Sequence, residues 1–158
     1  MSRDTIDRVV HEVTAARLAQ AGQRYTGLRR RLVEILARAG SPLSIPEIMR
    51  GRRGLPQSSV YRNLSDLEGA GVIRRIMADD EFGRYELTEE LTGHHHHLIC
   101  SRCGRTTDVT LRQQVETALD AALDEVARQA GFADVRHRLD LIGLCGDCAK
   151  RDRLRLSL

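Results

Sequence analysis

The chain has 158 residues, of which 41% are hydrophobic and 3% aromatic, and it carries a net charge of +3 at pH 7. This length suits one ordinary domain or two small ones. The chain has neither an apolar run of about 18 residues nor a signal-peptide pattern, so we expect a soluble, cytoplasmic protein with no membrane partner.

Positive charge is concentrated in the first half of the chain. Residues 1–78 carry 14 Arg, no Lys and 7 acidic residues, a net charge of +7. Residues 79–158 carry 11 basic and 15 acidic residues, a net charge of −4. This asymmetry favours contact between the first half and a polyanion such as double-stranded DNA. The alternative is an uneven surface charge without such a partner.

Helical periodicity dominates the beginning of the chain. Apolar spacing predicts helices over 3–20 and 27–39, with the arginines at 29–31 on or near the solvent side of the second helix. Ser44 and Glu47 have the spacing of a capping box, in which each side chain binds a backbone N–H group of the other residue. A short third helix is therefore expected to begin at this point.

The helix that follows is expected to carry the DNA-binding surface. Val60, Leu64 and Leu67 form its apolar stripe, and two short strands follow near 72–77 and 84–88. This order of helices and strands is that of a winged helix-turn-helix, which we assign to residues 1–88. The side chains predicted to reach base edges and phosphates are Gln57, Ser58, Ser59, Tyr61 and Arg62. The alternative is a helical domain whose polar surface is only solvated.

The second half of the chain predicts a small α/β domain, which makes the whole protein α+β. Its pattern indicates a strand near 105–110, a helix over 112–130 and a strand over 135–141. It has few long apolar side chains, so a homodimer partner and a structural metal would both stabilise it. The predicted divisions after the winged helix are a hinge at 89–93, a dimerisation and metal-binding domain at 94–150 and a tail at 151–158.

Two Cys-x-x-Cys pairs give the most specific signal in the sequence. The first pair is Cys100 and Cys103, and the second pair is Cys145 and Cys148. Four thiolates from two such turns form the closed tetrahedral shell of a structural zinc ion. In a chain without a secretion signal this spacing favours a metal site over disulfides. A redox pair or unrelated thiols are the alternatives.

Four consecutive histidines, His94–His97, precede the first cysteine pair. In an extended strand, alternate side chains point to opposite faces. His94 and His96 then serve one metal site, for which Glu116 and His137 are the expected further ligands. The alternatives are a solvated histidine turn and, for His137, a packed side chain without a ligand role.

The opposite face of the same strand predicts a second metal site. His95 and His97 share this face, and Glu86 at the end of the wing is the expected carboxylate ligand. Such sets of imidazole and carboxylate ligands suit zinc, and also iron, manganese or nickel. The candidates for a fourth ligand are Asp79, Asp80 and His11.

Further motifs accompany these ligand patterns. The segments concerned are Ala21–Thr26, Ser59–Leu64, Tyr85–Thr88, His94–Gly104 and Cys145–Cys148. Together they resemble the ferric uptake regulator (Fur) superfamily over most of the chain. The resemblance implies a homodimeric, metal-activated transcription regulator, usually a repressor, with an N-terminal winged helix and a C-terminal dimerisation domain.

The resemblance also implies roles for individual residues. Tyr61 and Arg62 fall on the recognition helix, and Arg24 falls where the family often has a basic residue that reaches the minor groove. The four cysteines fall on the structural zinc site. The regulatory site would hold Glu86, His95 and His97, and a second regulatory site would hold His94, His96, Glu116 and His137.

The expected metal depends on positions at which this chain differs from other members of the family. Iron-type members often use a histidine just before the helix that Ser44 begins, and this chain has none there. Zinc-type members commonly have an Asp early in the wing and a Cys at its end, where this chain has Arg74 and Glu86 or Thr88. The histidine-rich run without Asp favours zinc over peroxide sensing.

We therefore expect a repressor of metal-homeostasis genes that zinc activates at the hinge. The first alternative is the same fold sensing iron, manganese, nickel or peroxide. The second is a zinc-binding interaction module without a DNA role. An enzyme is not expected, because the chain lacks an H-E-x-x-H or nucleophile motif and its four cysteines are assigned to the two pairs.

Overall fold

The computed structural model of the chain describes residues 3–50, 54, 56–77 and 83–155. Its helices are α1 (Arg3–Gln20), α2 (Gly27–Ala37), α3 (Ile45–Met49), α4 (Gln57–Gly69), α5 (Glu89–Thr92), α6 (Gln113–Gln129) and α7 (Gly146–Arg155). Its strands are β1 (Leu43–Ser44), β2 (Ile73–Met77), β3 (Gly83–Leu87), β4 (His96–Cys100), β5 (Thr106–Val109) and β6 (Asp140–Gly143). Asp79 and Asp80, two of the predicted hinge ligands, lie outside the described residues.

The first half is a winged helix, as the sequence predicts. Helices α1 to α4 pack on an antiparallel sheet in the order β1-β3-β2. The fully buried side chains of its core include Leu18, Leu32, Ile48, Leu64 and Leu67. The capping box is present: the Ser44 hydroxyl oxygen accepts from the backbone N–H of Glu47, and Glu47 Oε2 accepts from the backbone N–H of Ser44. Strand β1 was not predicted, because two residues are too few to show a periodicity.

Arg29 is buried, which corrects the prediction that it lies on the solvent side of α2. Only 6% of its surface is exposed. Its guanidinium donates to Asn63 Oδ1 at 3.0 Å and to Asp66 Oδ2 at 2.5 Å, both on α4. It also donates to Gln23 Oε1 at 2.9 Å and to the carbonyl of Arg24 at 2.5 Å. A buried cation is tolerated here because its donors have acceptors and its charge has a partner.

The second half contains a sheet in the order β5-β4-β6. Strand β4 pairs antiparallel with β5 and parallel with β6, so that His97 lies between Asp108 and Asp140. Ile76 of β2 and Ile99 of β4 form a small buried contact between the two halves of the chain. The second half also holds eight of the ten exposed large hydrophobic side chains among the described residues: Leu98, Val115, Val126, Phe132, Val135, Leu141, Ile142 and Leu144.

The strand predicted over 135–141 was placed wrongly. Strand β6 begins only at Asp140 and extends to Gly143. Its partner β4 begins at His96, and Asp140 pairs with His97, so the ladder does not extend over residues 135–139. The carbonyl of Leu139 still accepts a hydrogen bond from the backbone N–H of His97 at 3.3 Å. The alternating pattern of these residues therefore arises because His137 and Leu139 are half-buried while Arg136 and Arg138 are exposed, and it does not indicate a β ladder.

Two helices occur where none was predicted. Helix α5 occupies Glu89–Thr92 within the predicted hinge, and helix α7 extends from Gly146 to Arg155 into the predicted tail. The remaining tail residues, 156–158, lie outside the described part of the chain. Among the described residues, no helix combines the length and apolar character needed to cross a membrane.

Candidate metal centres and nucleic-acid interface

The four cysteines converge at one end of the second sheet. We call them the Cys cluster: Cys100, Cys103, Cys145 and Cys148. Their Sγ atoms lie within 4.8 Å of one another, and those of Cys103 and Cys145 are 3.8 Å apart. A tetrahedral zinc ion with Zn–S bonds of about 2.3 Å separates its sulfur ligands by about 3.8 Å. The cluster therefore has the donor type, number and spacing of a closed zinc site.

The thiols of this cluster differ in their readiness to ionise. Burial raises the pKa of Cys100, but the backbone N–H groups of Cys145, Cys103 and Arg102 outweigh it and lower that pKa to about 6. Burial raises the pKa of Cys148 to about 12, and the neighbouring thiols add to this effect. A bound cation is thus needed to hold all four sulfurs as thiolates, because metal binding releases the thiol protons.

The first histidine face forms the cluster that the sequence predicts. We call it the helix cluster: His94, His96, Glu116 and His137, with ligand atoms within 4.8 Å of one another. Glu116 of α6 lies at its centre, 2.8 Å from His94 Nε2 and 3.1 Å from His96 Nε2. His137 Nε2 is 3.2 Å from the same carboxylate, yet it is buried and makes no hydrogen bond. A buried imidazole nitrogen without a hydrogen-bond partner is suited to bind a metal ion.

Carboxylates hold the outer nitrogens of the helix cluster. His94 Nδ1 lies 3.0 Å from Glu89 Oε2, and His137 Nδ1 lies 3.1 Å from Asp120 Oδ1. Such partners fix the ring orientation of histidines that bind metals. The bond to Glu89 raises the pKa of His94, while the bond from His96 and the charges of the neighbouring rings lower the pKa of Glu116.

The second histidine face joins the wing to the second sheet. We call it the hinge cluster: Glu86, His95, His97 and Asp108, with ligand atoms within 4.8 Å of one another. Glu86 Oε2 of β3 lies 3.2 Å from His95 Nε2 and 3.1 Å from His97 Nε2, at the start of β4. The Oδ1 atom of Asp108 is buried without a hydrogen bond, 3.9 Å from His97 Nε2. Like His137 Nε2 in the helix cluster, this oxygen is suited to bind a metal ion.

Asp108 is the member of this cluster that the sequence analysis missed. The signal was present, because a β-hairpin that turns at Cys100–Gly104 places Asp108 opposite His97. His11, a candidate for the fourth ligand, is not brought to the cluster. Its Nδ1 atom lies 2.6 Å from the Tyr25 hydroxyl, and its Nε2 atom lies 3.7 Å from Glu34 within the winged helix.

The hinge cluster is also oriented by neighbouring groups. His97 Nδ1 lies 3.0 Å from Asp140 Oδ1, and His95 Nδ1 lies 2.9 Å from the carbonyl of Gly93. Burial raises the pKa of Glu86, but hydrogen bonds from His97 and Arg74 outweigh it and lower that pKa to about 2. Burial lowers the pKa of His97, but the carboxylates of Glu86 and Asp140 outweigh it and raise that pKa. Without a metal, the contact therefore favours the carboxylate form of Glu86 and the protonated form of His97.

The predicted DNA-binding side chains lie at one end of α4 and in the segment before α2. The apolar stripe of α4 faces the core, since Val60, Leu64 and Leu67 are 0% exposed. Its first turns face outward, and Tyr61 is 51% exposed. All six predicted residues are exposed or half-buried: Arg24, Gln57, Ser58, Ser59, Tyr61 and Arg62. They are accessible to a nucleic acid.

Residues 20–142 match the model of the Ferric uptake regulator family. The chain belongs to this family. It is 26% identical over 148 residues to the Peroxide operon regulator of Bacillus subtilis, covering 90% of this chain and 97% of that protein. It is 32% identical over 102 residues to the Zinc uptake regulation protein of Mycobacterium tuberculosis, covering 65% of this chain and 73% of that protein.

The fold is that of the ferric uptake regulators. The structure of the Helicobacter pylori ferric uptake regulator superposes with a TM-score of 0.70 at 24% identity, covering 90% of this chain and 93% of that chain. This similarity confirms the predicted α+β fold, with a winged helix followed by a small dimerisation domain that carries the Cys cluster. Family membership further identifies a metal-dependent transcriptional regulator and confirms the prediction that the chain is not an enzyme.

Proposed function

We propose that this chain is a homodimeric repressor of metal-homeostasis genes that binds its operator when zinc occupies the hinge cluster. The observation that carries the proposal is that the four candidate ligands come from both halves of the chain. Glu86 comes from the wing strand β3, whereas His95, His97 and Asp108 come from the second sheet. A metal-binding event at this place acts on the junction between the two halves of the chain.

The donor set favours zinc as the activating ion. The cluster offers two imidazole nitrogens and two carboxylate oxygens, each from a different side chain. Four ligands of this kind suit tetrahedral zinc, whereas six-coordinate manganese and iron call for more donors. The relatives include peroxide and zinc regulators, so sensing of iron, manganese, nickel or peroxide in the same fold is the alternative.

The proposed mechanism is a restraint on the angle between the two halves. When bound, zinc would supply coordinate bonds that replace the contact between the Glu86 carboxylate and the His97 imidazolium. Glu86 would then restrain the wing, and His97 would restrain the second sheet. DNA half-sites lie about 34 Å apart, so both recognition helices of a dimer enter major grooves only at the right angle. Preferential metal binding to that arrangement shifts the population towards it.

Proton release belongs to the same step. His97 must lose its proton to bind a metal, and its pKa is raised by Glu86 and Asp140. We therefore expect the response to zinc to weaken as the pH falls through that raised pKa.

The DNA-binding surface is proposed to be the outward end of α4 together with Arg24. Tyr61 and Arg62 would contact base edges and phosphates from the recognition helix, and Arg24 would reach the minor groove. The net charge of +7 over residues 1–78 supports this assignment, because cationic side chains release counterions from DNA. The exposed apolar side chains between Val115 and Leu144 support a homodimer interface in the second half.

The test is operator binding with and without zinc. The double variant His95→Ala, His97→Ala should bind operator DNA equally weakly in both conditions, whereas the wild type should bind more tightly with zinc. The variant keeps all four cysteines, so zinc retained in the Cys cluster controls for folding. A double variant with a full zinc response would show that the hinge cluster is not the regulatory site.

A further inference from the structure

Arg74 is a polar neighbour of the hinge cluster that binds no metal itself. It lies directly opposite Glu86 in the ladder between β2 and β3. Its Nε atom donates a hydrogen bond to Glu86 Oε1, and its NH1 atom donates to Glu89 Oε1 at 2.6 Å. The side chain of Arg74 is 11% exposed, and that of Glu86 is 8% exposed. The guanidinium is thus enclosed between two carboxylates.

Because of this contact, the two carboxylate oxygens of Glu86 have different partners. Oε1 is taken by Arg74, whereas Oε2 faces the ring nitrogens of His95 and His97 at 3.2 and 3.1 Å. A carboxylate held in this way offers one oxygen to a metal. A free carboxylate can bind through both oxygens, which adds a donor to the coordination shell.

The histidines of the cluster are restricted in the same manner. The Nδ1 atom of His95 faces the carbonyl of Gly93, and the Nδ1 atom of His97 faces Asp140. Each therefore presents only Nε2 to the cluster. With Glu86 limited to Oε2, Glu86, His95 and His97 can contribute one donor atom each.

We infer that Arg74 is a specificity-determining residue, which favours four-coordinate metal ions at the hinge cluster by keeping Glu86 monodentate. The inference rests on the proposed function of the hinge cluster as a metal site. Zinc accepts four donors readily, whereas Mn²⁺ in oxygen-rich sites favours six. Release of Glu86 Oε1 from Arg74 would allow a fifth donor and favour the larger coordination number.

Glu89 explains why Arg74 stays in place. It binds the far side of the guanidinium, and its other oxygen lies 3.0 Å from His94 Nδ1. Moving Arg74 away from Glu86 would leave a nearly buried cation with one partner fewer, which is costly. The restriction on Glu86 is therefore part of a fixed network and not a chance surface contact.

The experiment uses cobalt as a spectroscopic probe in the full-length chain. The Cys cluster is filled with zinc, and Glu116→Ala removes the carboxylate at the centre of the helix cluster. Arg74→Gln is compared with Arg75→Gln in this background. Arg75 is a matched control, because it neighbours Arg74 on β2 but its guanidinium lies over the Tyr85 ring, 6.0 Å from the ring centroid. Four-coordinate Co²⁺ absorbs visible light far more intensely than six-coordinate Co²⁺.

We expect intense cobalt bands in the background protein and in Arg75→Gln, and weak bands in Arg74→Gln. Competition titrations should show that Arg74→Gln raises the affinity for Mn²⁺ relative to Zn²⁺ about tenfold, the scale on which groups behind the ligands act. Arg74→Lys keeps the charge but not the forked donors, so it should change both quantities in the same direction. It serves as the second variant if Arg74→Gln does not fold.

Two results would overturn the inference in distinguishable ways. Unchanged cobalt bands and an unchanged Mn²⁺ to Zn²⁺ ratio in the Arg74 variants would refute the role of Arg74 and leave the hinge cluster as a metal site. Cobalt bands that persist after His95→Ala and His97→Ala would show that the metal binds elsewhere, and the proposed function would fail together with the inference.

Discussion

At the scale of single residues, the orientation of the two histidine clusters depends on the carboxylates behind their rings. Asp140 lies behind His97 at 3.0 Å, and Asp120 lies behind His137 at 3.1 Å. In both cases a carboxylate orients the ring so that Nε2 points into the cluster. The same arrangement increases the basicity of the ligand, which strengthens its bond to a metal.

We predict that Asp140→Asn weakens zinc binding at the hinge cluster about tenfold, because the amide removes the negative charge behind His97. Competition with a chelator of known affinity measures the effect. Asp120→Asn is the matched control, since it makes the same change behind His137 and should weaken only the helix cluster. Equal hinge affinity in Asp140→Asn and the wild type would contradict the role given to Asp140.

The residues of the sites were predictable to different degrees. The alternation of the histidine run was predictable, because extended geometry sends His94 and His96 to one side and His95 and His97 to the other. Asp108 required the register of a hairpin, and Arg74 required the pairing of β2 with β3. Glu89 required a helix, α5, that the sequence did not indicate. Sequence periodicity predicts which side chains share one face of a helix or strand. It does not predict which residues of other helices or strands those side chains contact.

At the scale of elements, the Cys cluster attaches α7 to the second sheet. Cys100 ends β4, whereas Cys145 and Cys148 lie at the beginning of α7. The side chain of Cys148 is 0% exposed, so its sulfur lies inside this junction. The second half of α7 falls in the segment that the sequence analysis assigned to the tail, and the charged sequence of this helix shows no apolar stripe. Metal coordination by cysteines at its start would be a tertiary restraint that such a pattern does not reveal.

We predict that Cys148→Ser removes the most tightly held zinc ion and loosens α7. Structural zinc sites contribute about 10 kcal/mol or more to folding in zinc-finger peptides, so the loss should be large. Zinc content per chain and amide hydrogen exchange along α7 would measure it, with α4 in the winged helix as the internal control. Retention of the full zinc content together with slow exchange in α7 would refute this assignment.

The start of α3 gives a pH prediction of its own. Burial raises the pKa of Glu47, but hydrogen bonds from Ser44 and the charge of Arg84 outweigh it and lower that pKa. A lowered pKa in the folded state stabilises the protein above the ordinary value of 4.5, and this stabilisation is lost as the pH falls through the lowered pKa.

Glu47→Gln should therefore destabilise the winged helix at pH 7 by up to about 1 kcal/mol, because the amide keeps the capping acceptor but loses the charge that pairs with Arg84. The difference from the wild type should shrink as the pH falls below 4.5, the ordinary pKa of the carboxyl group. Urea unfolding at a series of pH values measures both quantities. A difference that stays constant down to the pH of acid unfolding would argue against a charged capping role.

At the scale of the whole molecule, the chain joins a basic winged-helix half to an acidic half that carries most of the candidate metal ligands. Family membership makes the protein a metal-dependent transcriptional regulator. The hinge cluster stands where these two halves meet, beside the buried contact of Ile76 with Ile99. This position, and not the strength of any single ligand, is what would allow a metal to control DNA binding.

We predict that Arg62→Ala weakens operator binding by about 1–3 kcal/mol if Arg62 contacts a base edge, or lowers the salt dependence by about one counterion if it contacts a phosphate. Arg128→Ala is the control, because Arg128 is an exposed arginine of α6 paired with Glu125 in the acidic half. Titrations at several salt concentrations distinguish the two effects. An Arg62→Ala protein with unchanged affinity and salt dependence would place the recognition surface elsewhere.

The most direct measurement of the central claim is anomalous X-ray diffraction at the zinc edge from the zinc-loaded protein. A zinc peak should lie among Glu86, His95, His97 and Asp108, at about 2.0–2.2 Å from one atom of each. Peaks confined to the cysteines and the helix cluster, with those four side chains bound to no ion, would contradict the account.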